Sequence, residues 1–511
     1  MSVLIISTVD KFARLPFEPR SATIFGNVSI YDDAWGYGRT EALPDTGGAR
    51  SGNIVEIKKF RPPDLIIQDE LHLIEGPLGS MVGLYECAVD TLSKINSDSG
   101  ITKAKYIAST ATTRQAATQV TCLFDRTLAQ FPPYGLSAMD NFFSRYNEGH
   151  ALNSNKPGRL YVGVCCPGRG PQTPVVRIWS SLFQETERLR INNGGVITEE
   201  LDYFWTLVGY FNAVRELAQA SKLYREDILQ RMREPSRSSY VRNIEDRLPL
   251  ELSSNKDSSE IPSILEQLEY RGGQTDAVFA TSMFGTGVDI ERLSLMVVHG
   301  QPKTTSSYIQ ATGRVGRLKG ALVVTFLRST RPRDLDHYEF FTGYHRALYR
   351  YVEPVTVFPF SPRAFERALG PVAVSVLRNG THVSGVPVPP DWAPEEYSTS
   401  TKRTSGSRRM SSHRQDPEIT AMVQSFEQRA QKQTAERRPL KDSITTYLES
   451  EFEDWENLSN GHNNLLYTES TYSHQARHPV VLGDPEHDIS VFETAPQSMR
   501  DVESTTRFKG R

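Results

Sequence analysis

The sequence predicts an α/β protein with parallel sheets in two domains, and two observations support this. Short apolar runs bounded by polar clusters recur along the chain, and stretches with helical spacing of apolar residues lie between them. Alternating strands and helices are typical of parallel sheets that carry helices on their faces. Several apolar runs end in acidic, hydroxyl-bearing or glycine-rich clusters, and ligands of such sheets bind at the carboxyl ends of the strands.

The first domain is predicted over residues 1–125. Apolar runs indicate strands, and apolar residues at helical spacing indicate one helix. The expected strands are residues 3–7, 64–68 and 105–108, and the helix is 80–94. Glycine, proline and polar residues dominate residues 31–53, which therefore read as a long loop.

Residues 126–200 lose the alternating pattern and are interpreted as a connecting insertion with one strand-like segment at 159–164. A second α/β domain with a trailing helical segment is predicted over 201–388. Its strands are expected at residues 204–211, 277–280, 295–299 and 321–326.

Residues 389–511 are predicted to form a C-terminal extension that is partly disordered. A Ser/Arg/Thr-rich run at 398–415 lacks the apolar residues that a packed core needs. Its basic residues could contact nucleic acid or a partner. Because no aromatic residue lies among them, a solvated linker is the favoured interpretation. Weak helical patterns follow at residues 419–435 and 440–457.

Composition excludes several classes of protein. With 58 basic and 61 acidic residues among 511, the formal charge is −3. The chain therefore lacks the overall positive charge that would indicate a nucleic-acid partner. No apolar run is long enough for a membrane-spanning helix, and the N-terminus lacks the basic region of a signal peptide. The four cysteines have no CxxC spacing, which argues against a disulfide scaffold and a zinc site. We therefore expect a cytoplasmic protein.

An acidic cluster closes the second predicted strand, in the string QDELH at residues 68–72. Asp69 can hold Mg²⁺, because hard cations prefer oxygen ligands, and Glu70 can polarise a water molecule for attack on a γ-phosphate. A lone Asp-Glu pair is more often a pair of solvated acids. About 40 residues later, however, the string STAT begins with Ser109 and Thr110 at another strand end.

Together these two strings resemble motifs II and III of superfamily 2 helicases. The resemblance implies that Asp69 binds Mg²⁺ and that Glu70 is the catalytic base. It also implies that His72 couples ATP hydrolysis to motif III, which contains Ser109 and Thr110.

The string QATGRVGR at residues 310–317 is the most specific in the chain. If the segment is helical, Arg314 and Arg317 lie on one face, and their planar guanidinium groups match phosphate oxygens. The alternative is a basic turn that contains glycine. QxxGRxGR resembles motif VI of the same helicases, which implies that both arginines act on ATP and that Gln310 belongs to the coupling machinery. An arginine at the γ-phosphate neutralises charge in the transition state.

Two further strings complete the set. ATSMFGTGVDI at residues 280–290 resembles motif V, which implies that Thr281 contacts nucleic acid and that Gly287 and Asp289 face ATP. Alone, its Gly-Thr-Gly would indicate only a tight turn. STVDKF at residues 7–12 resembles motif Ib, in which Thr8 and Lys11 would contact the nucleic-acid backbone. A solvated strand end explains that string equally well.

The resemblance extends over most of the chain. Several further strings resemble the helicase subunit of the DISARM anti-phage system: YFWTLVGYFNAVREL, YHRALY, VEPV, PFSPR and APQSMRDVE. This resemblance implies two RecA-like domains, ATP and Mg²⁺ as cofactors, and an ATPase that acts on DNA with a second subunit in bacterial defence.

The chain departs from the helicase pattern in one respect, since it contains no GxxxxGK(S/T) string. The backbone amides and lysine of that loop cradle the β- and γ-phosphates. We therefore interpret the chain as a helicase without its N-terminal part, with an incomplete first domain and impaired hydrolysis when alone. The alternative is a non-catalytic nucleic-acid-binding or scaffold fragment. An ATPase of another class is disfavoured by QATGRVGR.

Overall fold

The protein is described from a computed structural model in which the chain forms two compact units. Unit 1 consists of residues 1–129 and 354–511, and unit 2 consists of residues 130–353. No helix in the described parts of the chain is both long and apolar enough to cross a membrane. The structure describes residues 4–33, 36–38, 53–97, 100–110, 115–133, 142–143, 158–234, 240–245, 247–253, 255–257, 259–285, 289–379, 417–434, 444–461, 465, 467–468, 479–483, 489–492 and 495–499.

The strands are short in unit 1 and longer in unit 2. They are β1 (Ile30–Asp32), β2 (Gly36–Gly38), β3 (Ile54–Glu56), β4 (Leu65–Gln68), β5 (Ile95–Ser97), β6 (Gly100–Thr102), β7 (Lys105–Ala108), β8 (Arg159–Cys165), β9 (Leu207–Phe211), β10 (Leu250–Leu252), β11 (Ala277–Ala280), β12 (Leu295–His299), β13 (Ala321–Leu327), β14 (Val480–Leu482) and β15 (Ser490–Phe492).

The α-helices are numbered in the same way. They are α1 (Gly76–Leu92), α2 (Ala116–Phe124), α3 (Gln172–Asn192), α4 (Glu199–Trp205), α5 (Val214–Leu223), α6 (Leu229–Met232), α7 (Ile261–Glu269), α8 (Thr305–Gly313), α9 (Pro332–Glu339), α10 (Phe341–Arg346), α11 (Pro362–Ala364), α12 (Gly370–Asn379), α13 (Pro417–Thr434) and α14 (Ile444–Gly461). Shorter 3₁₀ turns lie at Val9–Arg14, Pro19–Phe25, Leu71–Leu73, Ser282–Gly285 and Leu348–Tyr351, and π-helical turns lie at Tyr224–Ile228 and Phe365–Leu369.

Unit 2 is built on a parallel sheet of six strands in the order β10-β11-β9-β12-β13-β8. Alternate residues of its central strands enter two separate apolar clusters. Val208, Val278 and Met296 lie in one cluster with α8, and Leu207, Phe279 and Val297 lie in the other with α3 and α5. Because successive side chains of a strand point to opposite faces, the two clusters are the two covered faces of one sheet. This confirms the predicted parallel α/β architecture.

The strands predicted at residues 277–280, 295–299 and 321–326 are confirmed as β11, β12 and β13. The strand predicted at residues 204–211 is too long, since α4 occupies its first part and only β9 remains. Thr198 caps α4 by accepting a hydrogen bond from the Leu201 N–H at 3.3 Å, and three acids follow in its first turn. Capping and charge at the helix start therefore outweigh the apolar character of this segment.

The segment interpreted as a connecting insertion contributes to unit 2. β8 pairs with β13 over seven residues as an edge strand of the six-stranded sheet, and α3 covers one face. The strand-like segment predicted at residues 159–164 is therefore confirmed as β8, and β8 and α3 of the predicted insertion belong to unit 2. The sequence pattern of β8 is weak because an edge strand is partly exposed, so alternate positions need not be apolar.

Unit 1 contains smaller sheets around a helical core. β4 and β7 form a parallel pair, and β2, β1 and β3 form an antiparallel sheet. β5 pairs with β6, and β14 pairs with β15. The core is formed by α1, α2, α11 and α12 with α13 and α14, and it includes the fully buried Trp455. The predicted helix at 80–94 and the two C-terminal helices are thus present as α1, α13 and α14.

Three expectations for unit 1 need correction or fall outside the described chain. Residues 4–7 form no strand, because no described strand offers them a hydrogen-bonded edge. The loop predicted at 31–53 includes part of β1 and all of β2. These two strands pair in an antiparallel ladder of three residues each, which is too short to give a periodic pattern in the sequence. The run at 398–415, called disordered from its composition, lies outside the described residues.

Candidate functional site

The acidic end of β4 and the hydroxyl-bearing end of β7 meet in unit 1. The Ser109 N–H donates to the Gln68 carbonyl oxygen at 2.9 Å and the Leu71 N–H donates to the Ser109 carbonyl oxygen at 2.9 Å, which continues the parallel pairing beyond the strands. The Ser109 hydroxyl donates a short hydrogen bond to Asp69 Oδ1. The structure therefore brings the DELH and STAT strings together, at the carboxyl ends of neighbouring strands.

Asp69 is exposed, and its hydrogen bonds favour the ionised form of its carboxylate. The Glu70 N–H also donates to Asp69 Oδ1, at 2.9 Å. Hydrogen bonds from the Ser109 hydroxyl and the Glu70 amide lower the pKa of Asp69 below its ordinary value. Because donors to a carboxylate favour its charged form, Asp69 presents a negative charge at neutral pH.

Glu70 and His72 lie on the turn that follows. Glu70 has a φ of +51°, a left-handed conformation that costs a non-glycine residue about 1–2 kcal/mol. His72 is buried, and its Nδ1 lies 3.2 Å from Thr110 Oγ1 and 3.5 Å from Glu70 Oε2. Glu70, which the resemblance assigns as the catalytic base, is therefore in contact with His72, and His72 is in contact with Thr110, the other residue assigned to coupling here.

The sequence reasoning missed Gln119 in α2. Its buried side chain donates from Nε2 to the carbonyl oxygens of Leu71 and Ile74, at 2.9 and 3.0 Å. These bonds hold the turn that carries Glu70 and His72. A single glutamine in a helix gives no local signal of such a role, because its acceptors lie more than 40 residues away in the sequence.

In unit 2 the structure brings the GTGVDI and QATGRVGR strings together. Arg314 donates from Nε and Nη2 to the Gly285 carbonyl oxygen, at 3.2 and 2.8 Å. Arg317 forms an ion pair with Asp289. Gln310 lies on α8 beside Gly285, and its Nε2 donates to Ser306 Oγ at 3.5 Å. Gly287, which we expected to face ATP, lies outside the described residues.

Of the two possibilities for the arginines, a helical face or a basic turn that contains glycine, the structure has the turn. α8 ends at Gly313, so Arg314 is its C-terminal cap and Arg317 lies beyond a turn. Gly316 in that turn has a φ of +68°, and a Cβ there would lie 2.6 Å from the Cβ of Ala321. Only glycine fits this turn without strain, so the turn that separates Arg314 from Arg317 depends on Gly316.

Arg159 in β8 is the second residue that the sequence reasoning missed. Its Nε donates to the Val315 carbonyl oxygen at 2.7 Å and its Nη2 donates to the Gly313 carbonyl oxygen at 2.9 Å. These bonds fix the turn between the two motif arginines. No pattern around residue 159 could reveal them, because the contacts join residues more than 150 positions apart.

The residues assigned to nucleic-acid binding differ in accessibility. Thr8 and Lys11 are exposed on one 3₁₀ turn, where the Lys11 N–H donates to the Thr8 carbonyl oxygen at 3.1 Å. Thr281 is buried, and its N–H donates to the Leu252 carbonyl oxygen at 3.1 Å. Thr8 and Lys11 can therefore meet a phosphate backbone, whereas the Thr281 side chain is enclosed in unit 2.

Comparison with known proteins agrees with these motifs. Residues 229–319 match the helicase conserved C-terminal domain family. The DISARM protein DrmA of Bacillus paralicheniformis is 43% identical over 388 residues, which cover 74% of this chain and 34% of that protein. The chain thus spans about a third of the length of this curated relative.

Two solved structures resemble the chain at low identity. The DUF1998 helicase MrfA bound to DNA and AMPPNP has a TM-score of 0.44 and 14% identity over 72% of this chain and 40% of that chain. The Mycobacterium smegmatis helicase Lhr bound to single-stranded DNA and AMP-PNP has a TM-score of 0.40 and 13% identity over 76% of this chain and 54% of that chain. In sequence, the chain is thus similar to the DISARM protein DrmA over 388 residues and to the helicase conserved C-terminal domain family over residues 229–319.

Proposed function

We propose that this chain belongs to an ATP-dependent nucleic-acid translocase of the superfamily 2 helicase type. The observation that carries the proposal is the Asp69 carboxylate. It follows a parallel strand, stays ionised through two hydrogen bonds, and lies directly before Glu70. A negative oxygen ligand beside a second carboxylate at this place suits phosphoryl transfer.

The two carboxylates fit Mg²⁺. The described residues contain no group of three or more His, Cys, Asp and Glu side chains arranged to hold a metal ion. Mg²⁺ in phosphoryl-transfer sites does not need such a cage, because one or two carboxylates, water and the substrate phosphates complete its shell. Asp69 would hold the ion, which would neutralise charge on the phosphates.

The other residues act on water and phosphate. Glu70 would accept the proton of the attacking water, and its contact with His72 links that step to Thr110. Arg317 would neutralise the charge that develops on the γ-phosphate, after exchanging its ion pair with Asp289 for the nucleotide. Arg314 would hold the glycine-rich loop through its hydrogen bond to Gly285 and so keep Arg317 in position beside that loop.

We further propose DNA as the substrate and a role in anti-phage defence with a second subunit. Similarity to DrmA supports this proposal. Thr8 and Lys11, which are exposed, would contact the phosphate backbone, a mode of binding that tolerates any base sequence.

A second candidate function is non-catalytic nucleic-acid binding. The absence of a GxxxxGK(S/T) string from the sequence favours it for the chain alone. Without the amides and lysine of that loop, ATP lacks its main anchor, and rate enhancement that depends on positioning is lost.

The test compares the chain with a fusion to the part of the Bacillus DrmA that lies outside the matched region. We expect strong DNA-stimulated phosphate release from the fusion and weak release from the chain alone. Glu70→Gln in the fusion should lower turnover by at least about 10²-fold while ATP binding remains, because only the base is removed. Glu339→Gln, at an exposed position of unit 2, is the matched control.

Each outcome is informative. A fusion that binds ATP and DNA but releases no phosphate would support the non-catalytic alternative. Glu70→Gln with unchanged steady-state turnover would contradict the assignment of the base. Strong release from the chain alone, abolished by Glu70→Gln, would show that the chain anchors the phosphates without a GxxxxGK(S/T) loop.

A further inference from the structure

A short segment of unit 2, residues 340–351, carries aromatic and basic side chains and no acidic ones. Its sequence, FFTGYHRALYRY, has five phenylalanine or tyrosine residues, two arginines and one histidine. The segment begins at the residue before α10, includes all of α10, and ends with the 3₁₀ turn Leu348–Tyr351. It lies outside the four main helicase motif strings, so those strings do not explain its aromatic side chains.

The inner side chains of this segment are explained by packing. Tyr344 is buried, and its ring centroid lies 6.1 Å from that of Tyr308 in α8. His345 Nε2 lies 3.0 Å from the Tyr308 hydroxyl oxygen. The Phe341 ring lies so close to Gly163 of β8 that a Cβ on this glycine would approach it to 2.8 Å. The segment is therefore fixed to α8 and β8.

Three other aromatic side chains of the segment are exposed. Phe340 is 53% exposed, Tyr351 is 42% exposed and Tyr349 is 71% exposed. The ring centroids of Phe340 and Tyr351 lie 6.1 Å apart, so the two ends of the segment meet in an exposed pair of rings. Single exposed apolar residues are common on protein surfaces, but three large rings in one short segment indicate an interaction surface.

The arginines of the segment are exposed as well. Within the described part of the chain, no ion pair or side-chain hydrogen bond involves Arg346 or Arg350, and Glu339, which precedes the segment, pairs with neither. Glu353, which follows the segment, accepts from the Thr305 N–H with both carboxylate oxygens, at 2.8 and 2.9 Å. The segment therefore presents two positive charges beside its exposed rings.

We propose that residues 340–351 bind single-stranded nucleic acid by stacking its bases on the exposed rings, with the two arginines at its phosphates. The proposal rests on the proposed nucleic-acid binding and adds a contact region in unit 2 to Thr8 and Lys11 of unit 1. Aromatic rings stack with any base, and a guanidinium group binds phosphate oxygens or stacks itself. A protein partner would also cover the rings, but arginines without carboxylate partners suit a polyanion better.

The experiment measures the affinity of the full chain for two strands of equal length, an oligothymidylate and an abasic strand that keeps the phosphates but lacks the bases. Tyr349→Ala should weaken binding of the oligothymidylate about fivefold or more, because one stacking contact is lost, and should leave binding of the abasic strand unchanged. Tyr349→Trp should retain affinity for both strands. Tyr270→Ala, at another exposed tyrosine of unit 2, is the matched control.

The arginines are tested by salt dependence. Arg346→Gln combined with Arg350→Gln should weaken binding of both strands and lower the slope of log affinity against log salt by about 1.4, since two phosphate contacts are lost. Lys222→Gln combined with Arg225→Gln removes two exposed basic residues elsewhere in unit 2 and should leave the slope unchanged. An unchanged slope in the arginine variant would contradict the phosphate contacts.

A second measurement uses the unaltered chain. A strand containing 5-bromodeoxyuridine, irradiated in the complex and mapped by mass spectrometry, should crosslink within residues 340–351. Unchanged affinity of Tyr349→Ala for the oligothymidylate would overturn the proposal and leave a protein partner as the occupant, as would crosslinks confined to other parts of the chain. The proposed nucleic-acid binding would survive both results. A chain that binds neither strand would overturn that binding and this inference together.

Discussion

At the scale of single residues, the ion pair between Arg317 and Asp289 decides what the arginine can do. Both side chains are accessible, so the pair is weakly held and can be exchanged for a phosphate. Arg314 differs, because its two bonds to the Gly285 carbonyl oxygen are part of the local structure. The two motif arginines therefore have separate roles, one directed to a ligand and one to the loop beside it.

Arg317→Ala should lower DNA-stimulated phosphate release of the DrmA fusion by at least about 10²-fold, a conservative floor for a lost arginine at a γ-phosphate. Thermal stability should change little, since an exposed ion pair contributes about 0–1 kcal/mol. Phosphate-release assays and melting curves check both parts. Arg169→Ala, which removes an exposed arginine of unit 2, serves as control. Near-normal turnover in the Arg317 variant would refute the role.

At the scale of the secondary-structure elements, the turn after α8 depends on glycine. Gly316→Ala should lower the free energy of unfolding by about 1–2 kcal/mol, because its φ of +68° is strained for alanine and the Cβ would meet Ala321. Gly313→Ala is the matched control, since its Cβ would meet nothing within 4 Å and the residue is helical. Urea unfolding measures both variants. Equal stability of the two would contradict the strain argument.

β12 ends at a buried histidine, which predicts a pH dependence. His299 accepts a hydrogen bond from the Trp179 indole N–H at 3.2 Å and stacks on Phe211 at 4.3 Å. Burial lowers the pKa of His299 to about 3. Between about pH 6.5 and 3 the unfolded chain therefore binds a proton that the folded chain does not, so stability falls as the pH is lowered through this window.

His299→Asn removes that titrating group. Between pH 7 and pH 5, the His299→Asn variant should therefore lose less stability than the unaltered chain, even though the variant is less stable at pH 7. Urea midpoints at the two pH values give the comparison, with His337→Gln on α9 as control. An undiminished loss in His299→Asn would assign the acid sensitivity to other groups.

At the scale of the whole molecule, unit 1 exposes apolar side chains on and near its parallel pair. Ile67 in β4 is 66% exposed and Ile6 is 87% exposed, and Leu65 and Ile107 are also accessible. Parallel strands are ordinarily covered on both faces, so an uncovered pair favours association with other apolar surfaces. Unit 2, by contrast, covers both faces of its sheet.

The chain alone should therefore self-associate at micromolar concentration, as light scattering can measure. Ile6→Glu combined with Ile67→Lys should shift it toward monomer, because charge at exposed apolar positions opposes association. Leu318→Glu, at an exposed apolar position of unit 2, should have no effect. A chain that is monomeric without substitution would contradict the expectation.

The sequence by itself determined the parallel α/β architecture of unit 2 and the positions of the four main motif strings. Buried parallel strands are apolar on both faces, and chemistry-bearing residues at their carboxyl ends are visible as local strings. The Asp69–Ser109 contact was not predicted, although both residues follow strands that the sequence indicates. Local patterns therefore sufficed wherever the relevant interaction lies within one strand, one helix or one turn.

Only the tertiary structure decided how those strings are supported. Gln119 and Arg159 bind carbonyl groups of distant turns, β8 joins the sheet as a partly exposed edge, and α13 and α14 complete the core of unit 1. Lys94 and Arg429 likewise line one pocket of unit 1 although they lie more than 300 positions apart in the sequence. Such contacts leave no periodic signal, because a single polar side chain gains its partner only when separate elements pack together.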